Sequence, residues 1–256
     1  MTVRAEGTAT PATGAATTAA ATRPTAEPPA DPRLTTAQRA AGYRIVAELF
    51  LYPDERDMAQ VAAWRDALAG APEARLLDAF LAHERAFDPE EYLDVLELAP
   101  PCPLYLGAYL FEEPASCRGA GMSGRNAYML ELKATYRHFG LEPDAGEMAD
   151  FLPLLAEFLA MTTEDAANDA AGVRLRLLER MVAPALPEMR ERLERYESPY
   201  AEVIDFLAFL VADDQLAAPP PDPASAGYAA ELPVIQPPML APEACGRDGR
   251  VEGVRR

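Results

Sequence analysis

From Tyr43 to Leu210 the large apolar residues return at steps of three and four, and no segment alternates with a step of two. This regularity excludes most architectures. A step near 3.6 builds a helix with one apolar face, and a half-buried strand needs the step of two. Tyr43, Val46, Leu49 and Phe50 form the first stripe, after Thr36 and before Pro53. Met58, Val61 and Leu68 mark a second helix that Gly70 stops. Pro72 opens a third, with Leu76, Leu77, Phe80 and Leu81 on one face, because proline is tolerated at the first helical position. Asp88-Pro89-Glu90-Glu91 reads as an N-cap, a first-turn proline and two favourable carboxylates opening EYLDVLEL. Pro103 starts LYLGAYLF, apolar nearly all round and expected to be buried. Glu112 to Gly124 is a loop by composition. Ser123 caps a long helix carrying Met129, Leu132, Tyr136 and Phe139, closed by a left-handed Gly140. Thr163 and Glu164 begin a polar helix with its apolar face at Val173, Leu177, Leu178 and Met181. Pro184 and Pro187 punctuate, Glu188 to Tyr196 makes a charged turn or two, and Ser198-Pro199 starts the last helix, with Val203, Ile204, Leu207 and Leu210. The expected fold is all-α: a single helical-bundle domain of about eight to ten helices.

One stretch resists this simple reading. In GLEPDAGEMADFLPLLAEFLA, from Gly140 to Ala160, a helix started by Asp144 and Glu147 as a capping box puts Pro153 in its interior. There a proline costs about 3 kcal/mol. An N-cap at Asp150 places Pro153 in the first turn, where its missing N–H has no partner to lose. Glu147 and Asp150 then stand near the positive end of a helix. They either do no more than cap it or form a site for a cationic ligand.

Composition sets the limits. Residues 1–33 are Ala/Thr/Pro-rich and nearly lack large apolar residues; residues 214–256 are Pro-rich. Both are expected to be disordered tails, because neither buries enough apolar surface to offset its ordering entropy. The folded domain is expected at 34–213, about 180 residues. The net charge of −18 falls almost wholly within that domain. It argues against nucleic acid and anionic membrane surfaces, and fits either a basic partner or solubility alone. Cys102, Cys117 and Cys245 form no CxxC pair, and His83 and His138 lie far apart, so no metal site or bound cofactor is expected. The odd cysteine count points to a reducing cytoplasm. No apolar run is long enough to span a bilayer, and the N-terminus lacks the apolar core of a secretory signal. An enzyme is not expected. Gly119, Gly121 and Gly124 follow no strand and precede no Lys-Ser/Thr, no nucleophile elbow appears, and both histidines read as structural. Cys117 beside Arg118 has the setting of a reactive thiol, with nothing catalytic around it.

The ordered set EYLDVLEL, PLYLGAYLFEEP, CRGAG, YRHFGLE, EMADFLPLLAEFLA and ESPYAEVIDFLAFL resembles the delta-subunit chaperones of respiratory nitrate reductase, within the TorD-like family of molybdoenzyme assembly chaperones. The resemblance covers about Thr36 to Asp213 and is strongest from Pro103 to Ala160. LFEEP also resembles delta proteins serving periplasmic molybdoenzymes that act on oxyanions, dimethyl sulfide or hydrocarbons. The resemblance implies a cytoplasmic, all-helical chaperone. It binds the N-terminal leader of a molybdenum-containing catalytic subunit, holds that subunit for cofactor insertion, and is absent from the finished enzyme. The family motif Glu-x-Pro-Asp-His matches Glu147, Met148, Ala149, Asp150 and Phe151, with the proline and the histidine replaced. The two carboxylates remain as candidates for an arginine of the leader, since carboxylates take arginine in bidentate pairs. The second candidate stretch is Tyr105 to Glu113. In it Tyr105, Tyr109 and Phe111 either line a groove or belong to the core, and Glu112 and Glu113 stand at its rim or on a solvated loop. A stable helical adaptor or subunit of an oxidoreductase complex is the competing reading.

Overall fold

The computed structural model describes residues 33–111, 124–143, 146–165, 169 and 171–222; both expected tails and the Glu112–Ser123 loop lie largely or wholly outside them. The described residues form helices and no strand. In chain order these are α1 (Thr36–Leu49), α2 (Met58–Ala67), α3 (Ala74–Leu81), α4 (Pro89–Tyr92), α5 (Gly107–Leu110), α6 (Gly124–His138), α7 (Leu152–Met161), α8 (Val173–Leu177), α9 (Leu186–Arg195) and α10 (Tyr200–Ala217). π-helical turns extend α4 over Leu93–Glu97 and α8 over Leu178–Val182. The all-α expectation holds.

Local chemistry explains most boundaries. Thr35 and Gln38 close a capping box ahead of α1. Asp57 caps α2 through the amide of Gln60, and Asp88 caps α4 through the amide of Glu90, with Pro89 in the first turn as expected. Gly140 ends the α6 segment at φ +72°, a conformation in which any Cβ is strained. Other boundaries move. Pro72 and Glu73 form a turn, and α3 starts at Ala74. Only Gly107–Leu110 of LYLGAYLF is helical. The helix expected from Thr163 does not start there: the hydroxyls of Thr162 and Thr163 donate back to the carbonyls of Phe158 and Leu159 at the end of α7. The next helix with described bounds is α8, from Val173. The charged stretch before Tyr196 is a full helix, α9, laced by Arg–Glu pairs four residues apart. Ser198 does not cap α10; its hydroxyl is buried without a partner, and Pro199 holds the cap position.

The core is continuous through the described helices. Tyr200 gathers Phe50 (5.5 Å between ring centroids), Phe80 (5.2 Å) and Tyr92 (6.3 Å), with the Arg56 guanidinium 5.7 Å above its ring. A second knot is ionic. Near the end of α10, Asp213 accepts from Arg39 of α1 at 3.0 Å, and Asp214 accepts from Tyr43 of α1 at 2.9 Å and from Arg174 of α8. Arg174 also donates to Thr162 after α7, and Arg39 to the carbonyl of Leu34 at 2.7 Å. All four charged groups are buried. Such a cluster is tolerated because every ion has an opposite partner and further hydrogen bonds. Burial first, and then Asp214, pushes the Tyr43 phenol well above its ordinary range.

Candidate functional site

α1 and α7 pack side by side, and α2 leans against the pair. The faces they leave open form a groove of about 590 Å³. α1 contributes Arg44, Ala47 and Glu48, and Leu51 follows just beyond it; α2 contributes Trp64; α7 contributes Pro153, Leu154, Glu157, Ala160 and Met161. Glu147 and Phe151 close the end where the chain enters α7. The small side chains of Ala47 and Ala160 help keep the cleft open, while Leu154, Phe151 and Trp64 make its lining apolar. Met161, at the other end of α7, is 51% exposed. Three carboxylates, Glu48, Glu147 and Glu157, share the groove with one cation, Arg44.

The entry to α7 departs from the expected geometry, and the reason lies in Asp150. Its carboxylate does not cap the helix. Phe151 takes the N-cap position without any side-chain bond, and Pro153 falls in the first turn. Asp150 is fully buried; its Oδ2 accepts from the Gly107 amide at 3.0 Å and lies 3.7 Å from Arg125. Oδ1 has no hydrogen-bond partner. Burial raises its pKa, opposed by the Gly107 amide and Arg125. The backbone reinforces the link. Leu106 donates to the Asp150 carbonyl at 3.0 Å and Leu152 to the Leu104 carbonyl at 2.8 Å, so Tyr105 and Phe151 form an isolated antiparallel bridge. Asp150, expected as the N-cap of the helix, instead fastens the segment before α5 to the start of α7.

Tyr105 and Glu147 do come together. The Tyr105 hydroxyl donates to Glu147 Oε2 at 3.2 Å, and its ring lies 5.5 Å from that of Phe151. Partial burial, then Glu147, raises the Tyr105 pKa, with Glu97 adding to the same field. Glu147 is exposed. Tyr109 and Phe111 lie elsewhere. The Tyr109 hydroxyl donates to the Pro103 carbonyl at 2.8 Å under the Arg192 guanidinium of α9, 4.9 Å above its ring. Phe111 packs 5.4 Å from Tyr128 of α6. Glu112 and Glu113 fall outside the described residues. Arg44, Glu48, Trp64, Leu154, Glu157 and Met161 carry no motif. The available signal was the lone tryptophan and the charges interrupting the apolar stripe of α1.

Cys117 and Cys245 lie outside the described residues, and the remaining reactive groups among the described residues are quiet. His83 Nδ1 accepts from the Arg85 amide at 3.2 Å, and His138 Nε2 lies 3.8 Å from Asp169. Burial pushes the Cys102 thiol up to about 11, which keeps it protonated and unreactive. Among the described residues no group of three or more His, Cys, Asp or Glu could hold a metal ion, and no helix is long and apolar enough to cross a membrane.

The described residues thus form an all-helical domain with an acid-rimmed apolar groove. The family model described as nitrate reductase delta subunit matches residues 54–214, and the chain belongs to that family. Its relatives include the probable nitrate reductase molybdenum cofactor assembly chaperone NarJ of Bacillus subtilis, 24% identical over 68% of this chain and 90% of the relative. The selenate reductase assembly chaperone protein of Thauera selenatis is 32% identical over 67% of this chain and 85% of its own length. The NarJ chaperone of Escherichia coli is 26% identical over 64% and 66%. These relatives are named as assembly chaperones; the chain is NarJ-like and not an enzyme.

Proposed function

We propose that this protein is a cytoplasmic assembly chaperone that binds the N-terminal leader of a molybdoenzyme catalytic subunit and holds it for cofactor insertion. The observation that carries the reading is the α1–α7 groove: an apolar lining with Glu147 exposed at the end where Tyr105 and Phe151 meet. An amphipathic leader lays its apolar side along Leu154, Trp64 and Leu51. An arginine of the leader takes Glu147, whose second partner, the Tyr105 hydroxyl, fixes its orientation. Asp150 supports this arrangement from beneath, and Tyr109 and Phe111 anchor the segment that carries Tyr105. The names of the relatives favour a nitrate or selenate reductase subunit as client.

Calorimetric titration with synthetic leaders of a nitrate reductase and a selenate reductase catalytic subunit tests the proposal. One of them is expected to bind the full chain with one-to-one stoichiometry. Glu147→Gln is expected to weaken that binding by about ten- to a hundredfold, the worth of a charge-assisted hydrogen bond, with unchanged melting. The loss shrinks as salt rises, because Glu147 is exposed. Unaltered affinity in a natively melting Glu147→Gln variant places the leader elsewhere.

A further inference from the structure

The groove carries its charges in a fixed order. α1 and α7 run antiparallel along it, as the bonds at its two ends show. At one end Arg174 donates to Thr162, just past α7, and to Asp214, which also accepts from Tyr43 of α1 at 2.9 Å. At the other end the Phe50 carbonyl, just past α1, accepts from Tyr92 at 3.1 Å. Burial first, and then Glu97, raises the Tyr92 phenol, and Glu97 also adds to the field on Tyr105, which donates to Glu147 ahead of α7. Arg44, next to Tyr43, therefore stands at the Met161 end of the groove, and Glu147 closes the opposite end. Glu48 and Glu157 lie between, each one turn in, four residues from Arg44 and from Met161. From the Glu147 end the order is negative, negative, positive. Arg44 is exposed and forms no ion pair among the described residues, although Glu48 lies four residues on. Arginine ahead of glutamate is the weaker order for such a helical pair, and Glu48 instead accepts from the Asp57 amide at 2.5 Å.

We propose that the groove selects the charge order of the client segment. A helix lies in it with a basic residue at Glu147 and an acidic residue, about seven to eleven positions later, at Arg44. The length fits: Arg44 to Leu51 spans about 10 Å along α1, and Phe151 to Met161 about 15 Å along α7. Residues seven or eleven apart also return to one face of a helix. Direction follows from the dipole of the bound helix, whose positive N-terminal end lies at Glu147 and whose negative C-terminal end lies at Arg44. Arg44 thereby turns away a segment that stays basic along its length, which a groove with carboxylates alone would accept. The occupant rests on the function proposed above; the order of the charges is a property of this chain.

Two end-capped peptides of identical composition test this, alongside the leaders above. Each is an Ala/Leu amphipathic helix of about 18 residues, with one Arg and one Glu about eleven positions apart on one face. Arg comes first in one peptide and Glu first in the other. Calorimetric titration of the full chain is expected to show the Arg-first peptide binding about five- to thirtyfold tighter, because reversing the order exchanges an exposed attraction for a repulsion at both ends. Free helicity favours the Glu-first peptide, whose charges complement its own dipole, so the preference does not come from the peptide. Arg44→Glu is expected to bring the two affinities together, and Arg44→Gln to lower the ratio part of the way, both with unchanged melting because Arg44 is exposed. Equal affinities in the parent chain, or tighter binding of the Glu-first peptide, overturn the proposal, even where a leader still depends on Glu147. A ratio that survives Arg44→Glu overturns it as well. Failure of every leader and both peptides to bind removes the proposed function, and this inference with it.

Discussion

Asp150 shows how one buried carboxylate can fix the entry to a helix whose open face lines a groove. With no exposure and one oxygen unpartnered, it leaves no space at Gly107, where a Cβ would lie 2.6 Å from Oδ2 and 3.2 Å from Arg125 Nε. Gly107→Ala is therefore expected to cost about 1–3 kcal/mol, as overpacking does in a rigid interior. Gly146→Ala, with nothing within 4 Å, stays within ~0.5 kcal/mol. Urea denaturation measures both. The same carboxyl also has a pH signature. Burial raises its pKa in the folded protein, so the native state holds this proton more tightly than the unfolded chain does. The stability that follows is present in full below the ordinary carboxylate range and is lost as pH rises through the raised value. Compared with Asp150→Asn, the parent should thus gain stability on moving from neutral pH to pH ~4. A difference that is flat with pH, or opposite in sign, contradicts the assignment. Sequence alone could single out Glu147 and Asp150 as a pair. It could not tell that one faces solvent and the other the interior, because that depends on the distant Gly107 amide.

At the level of the helix, Pro153 was the informative residue. Its chemistry demands a first-turn position, and the structure gives it one, starting α7 at Leu152. Pro153→Ala should accordingly change stability by less than ~1 kcal/mol, whereas Leu155→Ala, which empties a fully buried site, costs about 2–5 kcal/mol. Thermal and urea unfolding of the two variants separate these cases. Helix existence was legible where a 3.6-residue apolar period is written into consecutive side chains, and was missed at α9, whose charged sequence reads as a turn. Boundaries were legible where a local cap decides them, as at Asp88 and Gly140. They were not where a tertiary bond decides them. Thr163 and Glu164 read as a helix start, yet the hydroxyls of Thr162 and Thr163 bond backwards and close α7. The groove was the least legible feature, since its walls come from three helices and its lining residues follow no common spacing.

For the molecule as a whole, the ionic knot of Arg39, Arg174, Asp213 and Asp214 ties α1 and α8 to the end of α10. Removing one member leaves a buried charge without its partner. Arg174→Ala should cost about 3–5 kcal/mol, while replacing Arg174 and Asp214 together by apolar residues of similar volume costs much less. Denaturation of the single and double variants tests this; equal losses in both would show that the pair carries no coupled charge. The knot also sets a timetable for synthesis. Arg39 leaves the ribosome early, and its two acids come only with the last described helix. Until then the guanidinium has no interior to enter, and α1 cannot settle against the bundle with its groove face formed. Domains that close on their final element fold as one unit after translation has passed it. A nascent chain interrupted before Asp213 thus carries every residue of the groove's walls but not the acids that hold Arg39, and with it α1, in place.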